Sequence, residues 1–188
     1  SFAPAKKIYV TFNTLVTEDE LPQAIEFLDS LDDLAPDGVI VQDLGIARII
    51  RECFPRLALH ASTQMAVHNL DGARALAQAG FRRVVLAREL TITEMAEITQ
   101  SCGIETEVFI HGALCYSVSG LCLFSSLTSG RSGNRGRCAY CCREAFKCGG
   151  VSDTVSTENY PFSMRDLCLA PVLGKVAATG VSSLDRKS

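Results

Sequence analysis

Three absences narrow the class of protein that this sequence can encode. No apolar run approaches the roughly 20 residues needed to cross a bilayer, and no signal-peptide pattern opens the chain. The net charge of −3 gives no general attraction to nucleic acid, so any RNA contact needs a local basic patch. Because the chain shows neither a membrane-spanning run nor a signal peptide, we expect a cytoplasmic protein. The one candidate patch is a group of arginines at positions 131, 135, 137 and 143.

The sequence also lacks low-complexity tracts, short repeats and the glycine fingerprint of a dinucleotide-binding fold after its first predicted strand. Its 188 residues suffice for one domain with a substantial core. The chain begins without Met and its first strand starts almost at once, so we expect it to be part of a longer protein.

Strand and helix patterns alternate along the chain. We predict strands at 7–13, 38–43, 57–64, 83–88 and 105–111, and helices at 18–34, 44–54, 70–78 and 93–101. A last helix over 164–179, interrupted near Pro171, and the start of a strand at 181–184 complete the pattern. Thr17 and Asn69 are expected helix caps, and Gly80 suits a left-handed residue after a helix.

Repeated βα units with apolar strands predict a parallel sheet covered by helices, in either a doubly wound sheet or a (β/α) barrel of TIM type. Polar residues at the strand ends favour the barrel, whose active site is built there. Because a complete barrel needs about 250 residues, this one is expected to be incomplete. We divide the single domain into βα units (1–112), a cysteine-rich loop (113–150) and a C-terminal segment (151–188).

Five of the nine cysteines lie between residues 107 and 143, after the fifth predicted strand. Cys115 and Cys122 are separated by six residues, Cys138 follows on the same loop, and Cys168 falls in the last predicted helix. Four thiolates can hold a [4Fe–4S] cluster even when one is distant in sequence. A zinc site that uses Cys138 and Cys141, or a set of buried or free thiols, remains open at this point.

Polar side chains near this loop are candidates for chemistry or for simple packing. His111 ends the fifth strand, where it can act as an acid or base, a donor to substrate or a packed structural residue. Arg88 and Glu89 can bind a carboxylate or form a salt bridge at the rim. Asn13, Asp43 and Gln64 end other strands and are candidate substrate contacts. His60 is expected to be structural and His68 to lie on the surface.

The segment EVFIHGALCYSVSGLCLFSS, followed by GRSGNRGRC, closely resembles the signature of the collagenase-like peptidase family U32. The strand-end segments FNTLV, IVQDLG, LHASTQM and RVVLAREL are also similar to this family, so the resemblance spans nearly the whole chain. The segments QDLGIAR, HASTQM and HGALCYSVSG are most similar to the sequences of the branch that hydroxylates a ribosomal RNA cytidine.

This resemblance implies a barrel-like catalytic domain with a [4Fe–4S] cluster and oxygen-independent hydroxylation of a tRNA uridine, a ribosomal RNA cytidine or a ubiquinone precursor. For the RNA-modifying members it implies prephenate as a co-substrate. Our leading hypothesis assigns the catalytic role to His111, Glu89 and Arg88: His111 and Glu89 orient substrate or move protons, and Arg88 or Arg143 binds a carboxylate or phosphate. The alternatives are a peptidase with a Cys115–His111 pair, as the family name says, and a non-catalytic partner subunit.

Carried over by motif, the cluster ligands are Cys115, Cys122, Cys138 and Cys168. Relatives commonly read Ala-Gln-Pro-Cys-Arg where this chain has Ala139 to Arg143, so Cys141 replaces a proline and Cys142 is a rival third ligand. Leu121 stands where relatives often carry Arg. Relatives also begin with two further βα units and continue past GVSSLDRKS, so we expect the first two units and the C-terminal end of the barrel to be missing.

Overall fold

The computed structural model describes residues 6–146 and 160–186. Five parallel strands lie side by side in chain order: β1 (Tyr9–Phe12), β2 (Gly38–Val41), β3 (Leu59–Ala61), β4 (Arg83–Val85) and β5 (Glu105–Gly112). The last of these pairs with two further strands, antiparallel with β6 (Leu167–Cys168) and parallel with β7 (Ser183–Arg186). In the described residues β1 pairs only with β2, so the sheet is open at that edge.

The parallel α/β fold is confirmed. The strand order never reverses, as it would in a doubly wound sheet, and this monotonic order is that of part of a barrel. The connecting helices are α1 (Leu21–Leu34), α2 (Leu44–Cys53), α3 (Leu70–Gln78) and α4 (Ile92–Ser101). Two shorter helices, α5 (Phe124–Ser129) and α6 (Leu173–Ala178), follow. In the part of the chain that the structure describes, no helix combines the length and apolar character needed to cross a bilayer.

Local signals in the sequence explain where the helices begin and end. Thr17 forms a capping box with Glu20 just before α1, and Asn69 accepts the backbone N–H of Gly72 at the start of α3. Gly80 has φ of 92°, the left-handed conformation expected after a helix. These three predictions are confirmed.

The predicted helix over 164–179 is wrong in its first half. Residues Leu167–Cys168 form β6, Ala170–Val172 form a 3₁₀ turn that contains Pro171, and only Leu173–Ala178 are α-helical. The apolar spacing suggested a helix, but pairing with β5, which is distant in sequence, decides the local structure. Cys168 therefore lies on a strand. The predicted strand near residue 181 is confirmed as β7.

The two faces of the sheet have different chemistry. One face packs against the helices through aliphatic side chains such as Val39, Val41 and Val84, which are fully buried. The other face carries an ionic layer at the amino end of the strands. There Arg83 donates to Glu105 Oε2 at 2.6 Å and to Glu107 Oε2 at 3.1 Å. This layer forms the floor below the candidate site.

His60 belongs to the same layer, which confirms the structural role expected for it. The imidazole is 4% exposed and its ring centroid lies 5.1 Å from that of Tyr9. A Cβ at Gly38 would lie only 2.8 Å from the His60 ring, so a side chain larger than hydrogen does not fit beside it. Burial, together with the positive charge of Arg83, lowers the pKa of His60 to about 4.

Candidate functional site

A cavity of about 560 Å³ opens at the carboxyl ends of the strands, on the face that carries the ionic layer. Its wall combines residues of the strands and their ends with residues of the loop after β5. The strand side includes Thr11, Asn13, Ile40, Ser62, Gln64, Val85, Arg88, Glu107, Phe109 and Asp185. The loop side includes Cys115, Tyr116, Ser119, Cys122, Ser125, Cys138, Tyr140, Cys141, Cys142 and Arg143. Five thiols therefore face one cavity.

Three of these thiols share a local arrangement in which a polar group two residues later lies within hydrogen-bonding distance of the sulfur. The hydroxyl of Ser117 lies 3.0 Å from Cys115 Sγ, the N–H of Phe124 donates to Cys122 Sγ at 3.3 Å, and the N–H of Tyr140 donates to Cys138 Sγ at 3.4 Å. Hydrogen bonds to sulfur stabilise thiolates and tune the potential of metal–thiolate centres. The loop is thus shaped around three thiolates, although the sequence showed only their spacing.

Cys142 is the fourth thiol with evidence of proximity to these three. Burial raises the pKa of Cys142, and the charges of Cys115, Cys138 and Cys122 raise it further, while Arg143 opposes them. Its neighbour Cys141 is buried and accepts a hydrogen bond from the Thr128 hydroxyl at 3.1 Å.

Cys168 lies elsewhere. It is exposed on β6, opposite His111 of β5, and is not among the described residues of the cavity wall. His111 is also exposed at this point. Within residues 6–146 and 160–186, no three Cys, His, Asp or Glu side chains converge closely enough to hold a single metal ion. A cubane cluster separates its thiolates more widely than one zinc ion does, because each thiolate binds a different iron.

Glu89 holds the turn between Cys115 and Cys122. Its carboxylate accepts the Ser119 N–H at 2.8 Å on Oε1 and the Ser119 hydroxyl at 2.9 Å on Oε2. Ser119 is 1% exposed and has φ of 46°, a conformation that non-glycine residues adopt at a cost. Burial alone would raise the pKa of Glu89, but the two bonds from Ser119 and the nearby His68 lower it. His68 Nε2 lies 3.3 Å from this carboxylate. The His68 side chain, which was expected on the surface, is half-buried and is a partner of Glu89.

A second clamp ties the same loop to the sheet through Asn134. Its side-chain oxygen accepts the Cys122 N–H at 3.2 Å. Its backbone carbonyl accepts the Gln42 amide at 2.9 Å and the Leu15 N–H at 3.1 Å. Sequence reasoning missed Asn134 and Ser119, since each looked like an ordinary polar loop residue.

Arg88 is a predicted site residue with a buried donor that lacks a hydrogen-bond partner in the described structure. Its guanidinium carbon lies 4.4 Å from the centre of the Phe109 ring, and its buried Nε has no hydrogen-bond partner in the described structure. Burial lowers the pKa of Arg88, although the charges of Cys115, Glu89 and Asp185 oppose that shift. A stacked guanidinium with a free donor, facing a cavity, is suited to bind an anion.

The remaining predicted residues divide between the cavity wall and structural contacts. Asn13 and Gln64 line the cavity, and Gln64 also packs against the backbone of Gly120. Asp43 caps α2 by accepting the Ile46 N–H at 3.0 Å and also accepts the Val16 N–H at 3.1 Å. Both of its oxygens are therefore occupied by backbone donors.

Arg143 lines the cavity but its guanidinium is extensively bonded. It donates to Ser163 Oγ and to the Met164 carbonyl, both at 2.8 Å, and to the Leu114 carbonyl at 3.2 Å. These contacts fasten the segment after residue 160 to the cysteine loop. Asp166 lies 3.5 Å away and balances the charge.

The fold is a parallel α/β sheet, and the cavity at its strand ends is lined by thiols, which are the ligands that soft metal ions prefer. The model of peptidase family U32 matches residues 3–185, and the chain belongs to this family. The resemblance drawn from the sequence motifs is thereby confirmed.

The curated relatives that match carry names from both RNA modification and proteolysis. The 23S rRNA 5-hydroxycytidine synthase of Escherichia coli K12 is 39% identical over 178 residues, which cover 94% of this chain and 27% of that protein. The tRNA hydroxylation protein P of Haemophilus influenzae is 40% identical over 180 residues, covering 93% of this chain and 39% of the relative. A collagenase of Porphyromonas gingivalis is 28% identical, covering 93% of this chain and 45% of the relative.

The chain thus spans less than half the length of each of these relatives. A solved structure, of a U32 peptidase, superposes with a TM-score of 0.49 and 19% identity over 57% of this chain and 47% of its own.

Proposed function

We propose that this chain is the catalytic barrel portion of an iron–sulfur enzyme that hydroxylates an RNA base without molecular oxygen. The observation that carries the proposal is the set of thiols around one cavity, three of them with a hydrogen-bonding group two residues later. Relatives named for rRNA cytidine and tRNA hydroxylation, 39% and 40% identical, support RNA as the substrate class. Such an enzyme would work in the cytoplasm.

The donor set fits a [4Fe–4S] cluster because four soft thiolates can each bind one iron. We propose Cys115, Cys122 and Cys138 as three ligands and Cys142 as the fourth, since it lines the same cavity and its neighbour Cys141 is buried and bonded to the Thr128 hydroxyl. Cys168, which the motif comparison suggested, is the competing fourth ligand. When bound, such a cluster supplies one-electron redox chemistry.

The protein's own residues would bind the co-substrate, position the cysteine loop and contact the RNA. Arg88 would bind the carboxylate of an organic co-substrate such as prephenate, because its buried Nε is unpaired beside the cavity. Glu89, whose two oxygens bind Ser119, would position the loop rather than transfer protons. His111 is exposed at the end of β5 and would contact the RNA or move a proton at the rim.

The geometry gives less support to a cysteine peptidase. A Cys115–His111 pair would need a hydrogen bond between thiol and imidazole, with a third group to orient the imidazole. In the described structure the hydrogen-bond partner of Cys115 Sγ is Ser117, and His111 lies on β5 opposite Cys168.

The proposal is tested by iron and sulfide analysis of anaerobically purified protein. The wild-type chain should be brown, with about four iron and four sulfide per chain. Cys142→Ser should lose most of the iron, whereas Cys168→Ser and the control Cys53→Ser, an exposed thiol on α2, should retain it. Iron loss in Cys168→Ser alone would reassign the fourth ligand. A colourless wild-type protein with one zinc per chain would overturn the proposal.

Activity then requires a separate measurement on RNA. Incubation of the anaerobic protein with unmodified ribosomal RNA or tRNA and with prephenate, the co-substrate that would have to supply the oxygen atom and accept the two electrons, should add one oxygen to a pyrimidine base, as detected by mass spectrometry of nucleosides. Replacement of Arg88 by Met should raise the co-substrate concentration needed for half-maximal rate, because it removes the guanidinium and keeps an unbranched side chain that ends at the position of Nε. Cleavage of gelatin by the wild-type chain, lost in Cys115→Ala, would instead favour the peptidase.

A further inference from the structure

Tyr140 adopts a backbone conformation that its side chain does not favour. Four non-glycine residues of the described structure have positive φ: Ala35, Ala66, Ser119 and Tyr140. The two alanines end helical turns, and Ser119 is held by Glu89. Tyr140, at φ of 57°, is the bulkiest of the four and the one that is most unusual at such an angle.

Packing of the Tyr140 ring does not explain this strained backbone conformation. It is 63% exposed and forms no aromatic pair within the described residues. Glycine or asparagine would adopt this conformation at lower cost and without exposing a ring. An exposed aromatic side chain at a strained position beside a cavity indicates a contact with a ligand.

The backbone of Tyr140 is fixed by one candidate cluster ligand, Cys138, and by Arg143. Its N–H donates to Cys138 Sγ at 3.4 Å, and its carbonyl accepts the Arg143 N–H at 2.8 Å. Because Tyr140 both lines the cavity and remains exposed, its ring lies at the cavity mouth. A second exposed tyrosine of the wall, Tyr116, is supported from the side by Phe162 at 5.3 Å.

The loop segment that precedes Tyr140 carries charges suited to a polyanion. Arg131 and Arg137 are exposed and form no salt bridge within the described residues, whereas the neighbouring Arg135 is paired with Glu20. Aromatic rings with unpaired arginines nearby are the usual platform for unstacked nucleobases in single-stranded RNA. A base inside a duplex cannot lie on such a ring unless it leaves the helix.

We propose that Tyr140 is a stacking platform for the target base, so that the enzyme takes a base that is unpaired or flipped out of its helix. This inference rests on the proposed RNA function and adds the form in which the base is presented. The ring covers the base at the mouth of the cavity, and Arg131 and Arg137 contact the flanking phosphates.

The test compares variants that separate the ring from the backbone conformation. Tyr140→Gly removes the ring and relieves the strain, so its melting temperature should not fall. Tyr140→Phe keeps the ring. Tyr160→Gly removes a tyrosine that is 53% exposed but lies outside the cavity wall, and is the matched control. The probes are a fluorescein-labelled single-stranded RNA of about 12 nucleotides and the same sequence as a duplex.

Tyr140→Gly should bind the single strand between about 5-fold and about 150-fold more weakly than wild type, the range for loss of one base–aromatic stack. Tyr140→Phe and Tyr160→Gly should bind like wild type, and the duplex should bind weakly to all. Since the chain has no Trp, Tyr140→Trp introduces a single indole whose emission should fall as RNA is added. Each protein is prepared anaerobically in the same way.

Equal binding of the single strand by Tyr140→Gly and wild type would overturn the stacking role and leave the RNA function intact. An equal loss in Tyr160→Gly would also overturn it, because the effect would then not belong to the cavity mouth. A wild-type protein that binds neither probe would contradict the RNA function itself, and the inference with it.

Discussion

Replacement of Glu89 by Ala should release the turn that holds Cys115 and Cys122 in place. The carboxylate accepts two hydrogen bonds from Ser119, at 2.8 and 2.9 Å. A hydrogen bond to a charged group contributes about 1.5 to 3 kcal/mol, and Ser119 is buried, so its freed N–H would lack a partner. Because the Glu89 side chain is 40% exposed, we take the low end and expect the turn to lose about 2 kcal/mol of local stability.

That loss corresponds to an approximately 30-fold rise in the fraction of molecules with an open turn. Amide hydrogen exchange at Ser119, measured on the metal-free chain, reports this opening directly and does not depend on the cluster. Glu89→Gln retains an acceptor for the N–H and should show an intermediate rise. Glu97→Ala, an exposed glutamate on α4, is the control and should leave Ser119 unchanged.

Unchanged protection of Ser119 in Glu89→Ala would refute the clamp, and would return Glu89 to the catalytic role that its motif suggested. A similar loss in Glu97→Ala would show that the effect is a general destabilisation. In the metal-loaded protein the same clamp predicts faster loss of iron to a chelator from Glu89→Ala than from wild type.

Two further predictions concern the ionic layer below the cavity. Burial lowers the pKa of His60 from about 6.5 to about 4, so between these pH values the unfolded chain binds the proton more readily than the folded chain. The contribution of neutral His60 to the free energy of unfolding is therefore complete above pH 6.5 and is lost as the pH drops toward 4. The loss between pH 7 and pH 5 should be roughly 2 kcal/mol in urea unfolding, and His60→Gln should remove this part of the pH dependence. Gly38→Ala places a Cβ 2.8 Å from the His60 ring and should lower the free energy of unfolding by about 1 to 3 kcal/mol. Adding His60→Ala to this variant should restore most of the lost stability. An equal cost of Gly38→Ala in both backgrounds would contradict the steric explanation.

The sequence predicted the parallel sheet well because its strands are short β-branched or apolar runs separated by capped helices. The segment after residue 160 shows where this reasoning stops. Its apolar spacing fits a helix, but Leu167 and Cys168 pair with β5 through bonds that no local pattern reveals. The strands of the ionic layer were also predicted, but not that Arg83 would connect Glu105, Glu107 and Tyr9.

The candidate site could be predicted in its residue types and only partly in its geometry. Spacing singled out the cysteines and the strand ends singled out Arg88, and the structure puts Arg88, Asn13 and Gln64 on the cavity wall. Which thiols share that wall depends on how the loop folds back, and Ser119 and Asn134 fix the loop through bonds to Glu89 and Gln42 at distant strand ends. Single polar residues in a glycine-rich loop give no signal of such a role.

The distribution of charge in the cavity sets the direction in which a substrate can enter. At the floor, Glu107 has a side chain only 9% exposed and is neutralised by Arg83, which also binds Glu105. On the wall, Arg88 keeps a buried Nε without a partner in the described structure, with Phe109 below its plane. An anionic group is therefore attracted to Arg88, whereas Arg83 at the floor is already bonded to two carboxylates. An anion anchored at Arg88 would therefore share the cavity with the thiols and with Tyr140, which line the same wall.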